Sequence, residues 1–218
     1  MSLQTPPYKL WPYEKIIRQR EIQQVLGESP NGTGENVCSI AVNPYLATWA
    51  RKLVFTHSIG YSEARCEPTW QAIIENGLAL QTTSRKDPKY VTHGLHDYKG
   101  KFYPQLAKGL INLSGLENGS HILDPFCGSG TTLLEGYLNG HRAHGCDMNP
   151  LAAKIARAKV GILDVNPDVL RETVGTLLKK TEQTPAPNGF NSDLSQFSEN
   201  AFDEIEKWFP SPVITKLN

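Results

Sequence analysis

Two hydrophobic patterns alternate along the chain: stretches with apolar residues three and four apart, and short apolar runs closed by glycine, proline or polar clusters. Residues 14–26 are of the first kind, with Ile16, Ile17, Ile22, Val25 and Leu26 on one side and Gly27 as terminator, so a helix is expected. Residues 37–42 and 53–59 read as strands, with a short helix over 45–51 between them and another over 70–76 ending at Gly77. Residues 1–12 read as extended, 28–36 as a turn-rich loop, and 82–101, poor in apolar positions, as a loop. Further on, a helix is expected over 104–113 beside a short buried strand at Ile122 and Leu123, then a helix from Thr131 that Gly140 terminates. A strand over 142–146 and helices over 151–160 and 167–180 follow. Residues 181–200 read as a Pro/Ser/Asn/Gly-rich linker, and 201–209 as a short helix stopped by Pro210.

The strand, loop and helix around Gly128 and Gly130 carry the chemistry. Glycines there allow positive φ and close backbone approach, and the following helix points unpaired N–H groups at the same space. Asp124 ends the first strand and Asp147 the second, about twenty residues beyond the loop, where a carboxylate meets ribose hydroxyls. Leu133 stands where a dinucleotide fingerprint needs its third glycine, and the loop lacks the lysine of a phosphate-cradling loop. A carboxylate directly ahead of the glycines repels a pyrophosphate but suits the ammonium group of S-adenosylmethionine. The residues therefore favour that cofactor over NAD or ATP.

Asp124-Pro-Phe-Cys-Gly-Ser-Gly-Thr-Thr132 resembles the S-adenosylmethionine loop of the DNA amino-methyltransferases, which methylate N6 of adenine or N4 of cytosine. Gly145-Cys-Asp-Met-Asn-Pro-Leu-Ala152 resembles the next motif of that family, and the stretch from Thr92 to Pro104 its upstream motif. Trp11-Pro-Tyr-Glu14 and Trp208-Phe209 resemble flanking pieces more weakly. The resemblance implies an α/β, Rossmann-like S-adenosylmethionine-dependent methyltransferase fold. It implies a cofactor site built from Asp124, Pro125, Phe126, Gly128, Ser129, Gly130, Thr131, Thr132, Asp147, Met148 and Asn149, closed by Tyr98, Lys101 and Phe102. It also implies DNA as partner and a place in DNA methylation or restriction-modification. RNA base methylation, or a non-catalytic cofactor-binding remnant, are the competing readings.

The family's catalytic Asp/Asn/Ser-Pro-Pro-Tyr/Phe loop, which holds the flipped base, is not found after Asp147. Thr5-Pro-Pro-Tyr8 is rejected as its equivalent because no buried strand precedes it; a packing strap is expected. Two strands cannot complete a parallel sheet, which needs cover on both faces. The expectation is an incomplete fold whose catalytic loop and target-recognition region come from a second polypeptide or a missing C-terminal part. The divisions expected are a mixed accessory region over 1–83, the cofactor-binding half over 84–180, and a linker with a short helix over 181–218.

Composition changes this picture little. Lys/Arg and Asp/Glu number 22 each among 218 residues, so no global basic footprint marks nucleic-acid binding. Residues 51–110 nevertheless hold nine Lys/Arg against five acids, a local surplus suited to phosphates. The four cysteines form no CxxC pair, and Cys127 and Cys146 are expected as small buried thiols. The HxxH pairs at 93/96 and 141/144 lack a third ligand, so no metal is expected. No run approaches the roughly 18 apolar residues of a membrane span, and a soluble, cytoplasmic protein is expected.

Overall fold

The computed structural model describes residues 1–30, 37–62, 65–76 and 87–183. The expected helix over 201–209, with Trp208 and Phe209, lies outside them, as do residues 184–200 of the expected linker and parts of the loops at 28–36 and 82–101. The chain forms two compact units, Met1–Asp164 and Val165–Asn218.

The first unit begins with an antiparallel sheet of four short strands in the order β2-β1-β3-β4: β1 (Ser2–Gln4), β2 (Val37–Ser39), β3 (Ser58–Gly60) and β4 (Cys66–Pro68). The register pairs Leu3 with Cys38 on one side and Ile59 on the other. These three residues bury against Ile22 and Leu26 of helix α1 (Pro12–Leu26). Burying each large aliphatic side chain contributes about 1.5–3 kcal/mol, and this cluster anchors the N-terminal part.

Helix α1 starts at the Trp11–Glu14 motif, where the Glu14 carboxylate accepts from the Trp11 N–H at 2.8 Å, and ends at Gly27 with φ +75°. Ile22 and Leu26 of the expected aliphatic stripe are buried and Ile17 and Val25 pack against core residues, but Ile16 is exposed and Glu14 and Glu21 are buried as well. Glu21 explains a second departure. Leu53, Val54 and Phe55 are fully buried, as a strand's would be, but only Ser58–Gly60 pairs as strand. Side chains of α1 bond the intervening backbone instead, Glu21 Oε1 accepting from Val54 N at 3.0 Å and Arg18 Nε donating to Phe55 O at 2.9 Å. The expected strand over 37–42 is likewise shortened, while β1 and β4 are three-residue strands with too little pattern to be read beforehand.

Burial pushes the Glu21 carboxyl up to about 7, against lowering hydrogen bonds from Asn112 and Val54. An acid raised on folding holds its proton in the native state between about 4.5 and 7, so its contribution to stability is lost as pH rises through that window. Glu21→Gln is expected to remove that decline, worth up to about 3 kcal/mol at pH 8. Urea melts of both proteins at pH 5 and pH 8 would measure the difference.

A short helix α2 (Pro44–Ala47) and a 3₁₀ turn (Thr48–Lys52) stand where one short helix was expected, and α3 (Trp70–Asn76) matches its expected range. Helix α4 (Pro104–Leu113) packs chiefly between α1 and helix α5 (Thr131–Leu138) rather than beside the first parallel strand. Gly109 permits the close crossing with α1, since a Cβ there would sit 3.0 Å from Ile17 Cγ2.

Strands β5 (His121–Asp124) and β6 (Arg142–Gly145) then pair in parallel, with α5 between them in sequence and α6 (Pro150–Gly161) after, the βαβ arrangement of a Rossmann-like fold. Among the described residues one face of this two-stranded sheet is open. Leu123 is exposed, and His121 and His144 stack on the surface with ring centroids 5.2 Å apart.

In the second unit, α7 (Pro167–Gln183) is capped by Asn166, whose Oδ1 accepts from Asp168 N at 2.8 Å; Val169, Val174, Leu177 and Leu178 are exposed along it. Among the described residues no helix is long and apolar enough to cross a membrane.

Candidate cofactor site

The register of β5 against β6, His121 with Arg142 through Asp124 with Gly145, brings both strand ends to one edge. Pairing runs one step further, Cys146 N donating to Asp124 O at 3.1 Å and Cys127 N to Cys146 O at 3.0 Å. Asp124 and Asp147 therefore lie at the same end of the two strands. Between them the loop turns through Gly128 (φ +51°) and Gly130 (φ +79°) into α5, whose N-cap, Gly130, supplies no side-chain acceptor. The N–H groups of the first turn are left for an anionic partner.

Asp147 does more than stand at a strand end. Its Oδ2 accepts from Gly128 N and its Oδ1 from Asn149 N, both at 2.8 Å, so one carboxylate holds the glycine loop and its own turn. A carboxylate has about four lone-pair positions, which leaves acceptor capacity for hydroxyls. Asp124 Oδ1 accepts from Phe126 N at 3.1 Å within its own turn. Tyr98 covers the loop, its ring carbon Cε1 3.6 Å from where a Gly128 Cβ would be. Phe126 is 88% and Met148 100% exposed, and half-exposed Phe102 adds apolar surface.

Other residues of the motif face inward. Ser129 and Thr131 are buried, and Thr131 Oγ1 donates to Phe102 O at 3.3 Å. Ser129 Oγ accepts at 3.2 Å from the ammonium of Lys159, a fully buried side chain on α6 whose pKa burial pushes down. Asn149 caps α6, its Oδ1 accepting from Leu151 N and Ala152 N. Pro125 is exposed and its carbonyl accepts from Cys146 Sγ; Thr132 is half-buried. The ammonium of Lys101 donates to Pro88 O at 2.7 Å and His93 O at 3.2 Å, bracing its own loop.

The segment over 87–103 is thus fastened rather than solvated. Tyr90 and His93 are buried against Glu135 of α5, and Thr92 Oγ1 donates to Lys159 O at 2.8 Å. Reading His93 only as half of an HxxH pair missed this. The available signal was Glu135, a lone charge among Leu133, Leu134 and Gly136. Among the described residues no three His, Cys, Asp or Glu side chains group to hold a metal ion. All four cysteines are free; Cys127 is buried as expected, but Cys146, just past the end of β6, is exposed. Burial, with Asp124 and Asp147 nearby, raises the Cys127 thiol, which keeps it protonated rather than nucleophilic.

Not all of the basic surplus faces solvent. Lys108 is buried with its ammonium on Gln71 Oε1, and Arg51 and Arg65 share Glu67 while lying over Trp70 and Tyr61. A separate cleft of about 370 Å³ opens at the other end of the strands, lined by Trp49, Lys52, Asn118 and His141 among others; no residue of the glycine loop borders it.

Residues 95–187 match the RMKL-like methyltransferase domain (UPF0020). The chain is 34% identical over 132 residues to the Type II methyltransferase M.MvaI of Kocuria varians, covering 59% of this chain and 28% of that protein. It is 36% identical over 141 residues to the Type II methyltransferase M.MjaII of Methanocaldococcus jannaschii, covering 65% and 26% respectively. A shorter match, 48% identical over 52 residues, covers 24% of this chain and 16% of the tRNA (guanine(10)-N2)-dimethyltransferase of Methanothermobacter thermautotrophicus. The chain spans about a quarter of the length of the two Type II relatives. The glycine loop and the two strand-end carboxylates Asp124 and Asp147 thus lie inside the segment, residues 95–187, that matches a methyltransferase domain.

Proposed function

We propose that the chain binds S-adenosylmethionine at the shared edge of β5 and β6 and takes part in methylating an exocyclic amino group of a DNA base, N4 of cytosine or N6 of adenine. The observation that carries this is the Asp147 carboxylate holding the Gly128 N–H at 2.8 Å beside a second strand-end carboxylate, Asp124. Two anionic side chains suit a cationic cofactor and disfavour a pyrophosphate. Asp124 would receive the ammonium, the first-turn N–H groups of α5 the carboxylate, and Asp147 the ribose hydroxyls. Tyr98, Phe102, Phe126 and Met148 would supply apolar walls that exclude water. The bound cofactor contributes an electrophilic methyl group.

We further propose that catalysis requires a part of the enzyme beyond these residues, on a second polypeptide or a further segment. It would bring the loop that orients the amine in line with the methyl. The face of β5 and β6 that is open among the described residues, with Leu123 and the His121–His144 stack exposed, supports this, because parallel sheets are covered on both faces.

The short match to a tRNA guanine-N2 methyltransferase favours one alternative, transfer to an exocyclic amine of RNA. Calorimetry with S-adenosylhomocysteine tests the site; absence of binding would refute it. Labelled-methyl transfer to DNA and to tRNA, with and without the neighbouring gene product, tests the substrate: label in tRNA alone would replace the DNA reading, and full activity without a partner would overturn the need for one.

A further inference from the structure

The segment over 87–103 carries an unusual backbone. Val91 has φ +50°, a left-handed conformation that a β-branched residue avoids, and its side chain is exposed, so local packing does not impose it. Its neighbours do. Tyr90 Oη donates to Glu135 Oε1 at 2.7 Å, and His93 Nε2 lies 2.8 Å from the same oxygen. The two rings meet edge to face with centroids 5.0 Å apart, and all three side chains are buried.

Both hydrogen bonds of the Glu135 carboxylate thus go to this one segment, while among the described residues Glu135 Oε2 and His93 Nδ1 have no partner. A buried carboxylate directed so completely at one strained loop acts as an anchor. Further along, the same segment meets the glycine loop twice, through the Tyr98 ring over Gly128 and through Phe102 O, which accepts from Thr131 Oγ1. Glu135 lies one helical turn beyond Thr131 on α5, so the anchor and the glycine loop share a rigid element.

We propose that Glu135, through Tyr90 and His93, is a positioning residue for cofactor binding: it locks the 87–103 segment in a strained form that sets Tyr98 and Phe102 against the glycine loop. Glu135 touches no cofactor itself. This rests on the site reading above, and the test separates the two.

Tyr90→Phe keeps the ring and removes one anchor bond; Glu135→Leu removes both acceptors; Glu135→Gln keeps an oxygen able to accept both donors. Affinity for S-adenosylhomocysteine is measured by calorimetry at a temperature where each variant is folded by circular dichroism, alongside amide hydrogen exchange. The expected result is binding at least tenfold weaker in Tyr90→Phe, weaker still in Glu135→Leu if it folds, and within threefold of wild type in Glu135→Gln. Amides of residues 95–103 should exchange at least tenfold faster in Tyr90→Phe, with those of α4 and α6 unchanged. Wild-type affinity in Tyr90→Phe, or faster exchange spread evenly over the fold, would overturn the positioning role and leave only a structural one. Wild-type protein that fails to bind while exchange at 95–103 still responds to Tyr90→Phe would overturn the site reading, and with it any role in binding.

Discussion

Replacing Asp147 by alanine is expected to weaken S-adenosylhomocysteine binding about a hundredfold, equivalent to about 2.7 kcal/mol. Position at the end of β6 suggests only ribose contacts, and hence a milder effect than Asp124→Ala. The geometry reverses that order. Asp147 accepts from Gly128 N across the loop and from Asn149 N in its own turn, whereas Asp124 accepts from Phe126 N, two residues along its own chain. Backbone N–H bonds to a carboxylate each contribute about 1.5–3 kcal/mol, part of which water recovers at a half-exposed site. Without Asp147 the loop loses its tie to Gly128 as well as the proposed ribose acceptor. Asp147→Asn keeps an oxygen for Gly128 and should lose about tenfold. Titration calorimetry of the three variants decides the order, and an Asp147→Ala protein binding within threefold of wild type would show that the loop is organised without it.

Gly130→Ala is expected to destabilise the first unit by about 3–4 kcal/mol, adding an overpacking cost of about 1–3 kcal/mol to about 1–2 kcal/mol for an L-residue held left-handed. An added Cβ would lie 2.7 Å from Ala156 Cβ and 2.9 Å from Ala156 Cα, against the backbone of α6, which cannot swing aside. That is a large share of a typical stability of 5–15 kcal/mol, and a fall in Tm on the order of 10 °C should follow. Gly140→Ala separates the two causes: φ there is +80°, but nothing lies within 4 Å of the new Cβ. It should cost about 1–2 kcal/mol. Equal losses from both substitutions, measured in urea, would mean that the close approach of α5 and α6 at Gly130 carries no weight.

The same contrast runs through the whole molecule. Elements whose signals are local were legible in the residues: Pro104, Pro150 and Pro167 at first helical turns, Gly27 and Gly140 past helix ends, and the glycines that turn β5 into α5. Each acts within a few residues, through φ or through a missing N–H, so pattern alone places it. What pattern could not place was anything settled by partners distant in sequence. Leu53, Val54 and Phe55 form a buried apolar run, yet the backbone at Val54 and Phe55 is satisfied by Glu21 and Arg18, so no strand forms there. Cys146, expected as a small buried thiol, lies just past the end of β6 and is exposed.

For the site, the residues alone placed the proposed cradle: two glycines between strand-end carboxylates, whose negative charge would suit a cationic cofactor. The tertiary structure decided how it is held. Lys101 turns to carbonyls of its own loop, Lys159 lies beneath Ser129, and Glu135 gathers Tyr90 and His93 from more than forty residues away. The reason is physical: a glycine's freedom and a carboxylate's charge belong to the residue itself, whereas the worth of a buried hydrogen bond depends on which donors the fold brings out of water beside it.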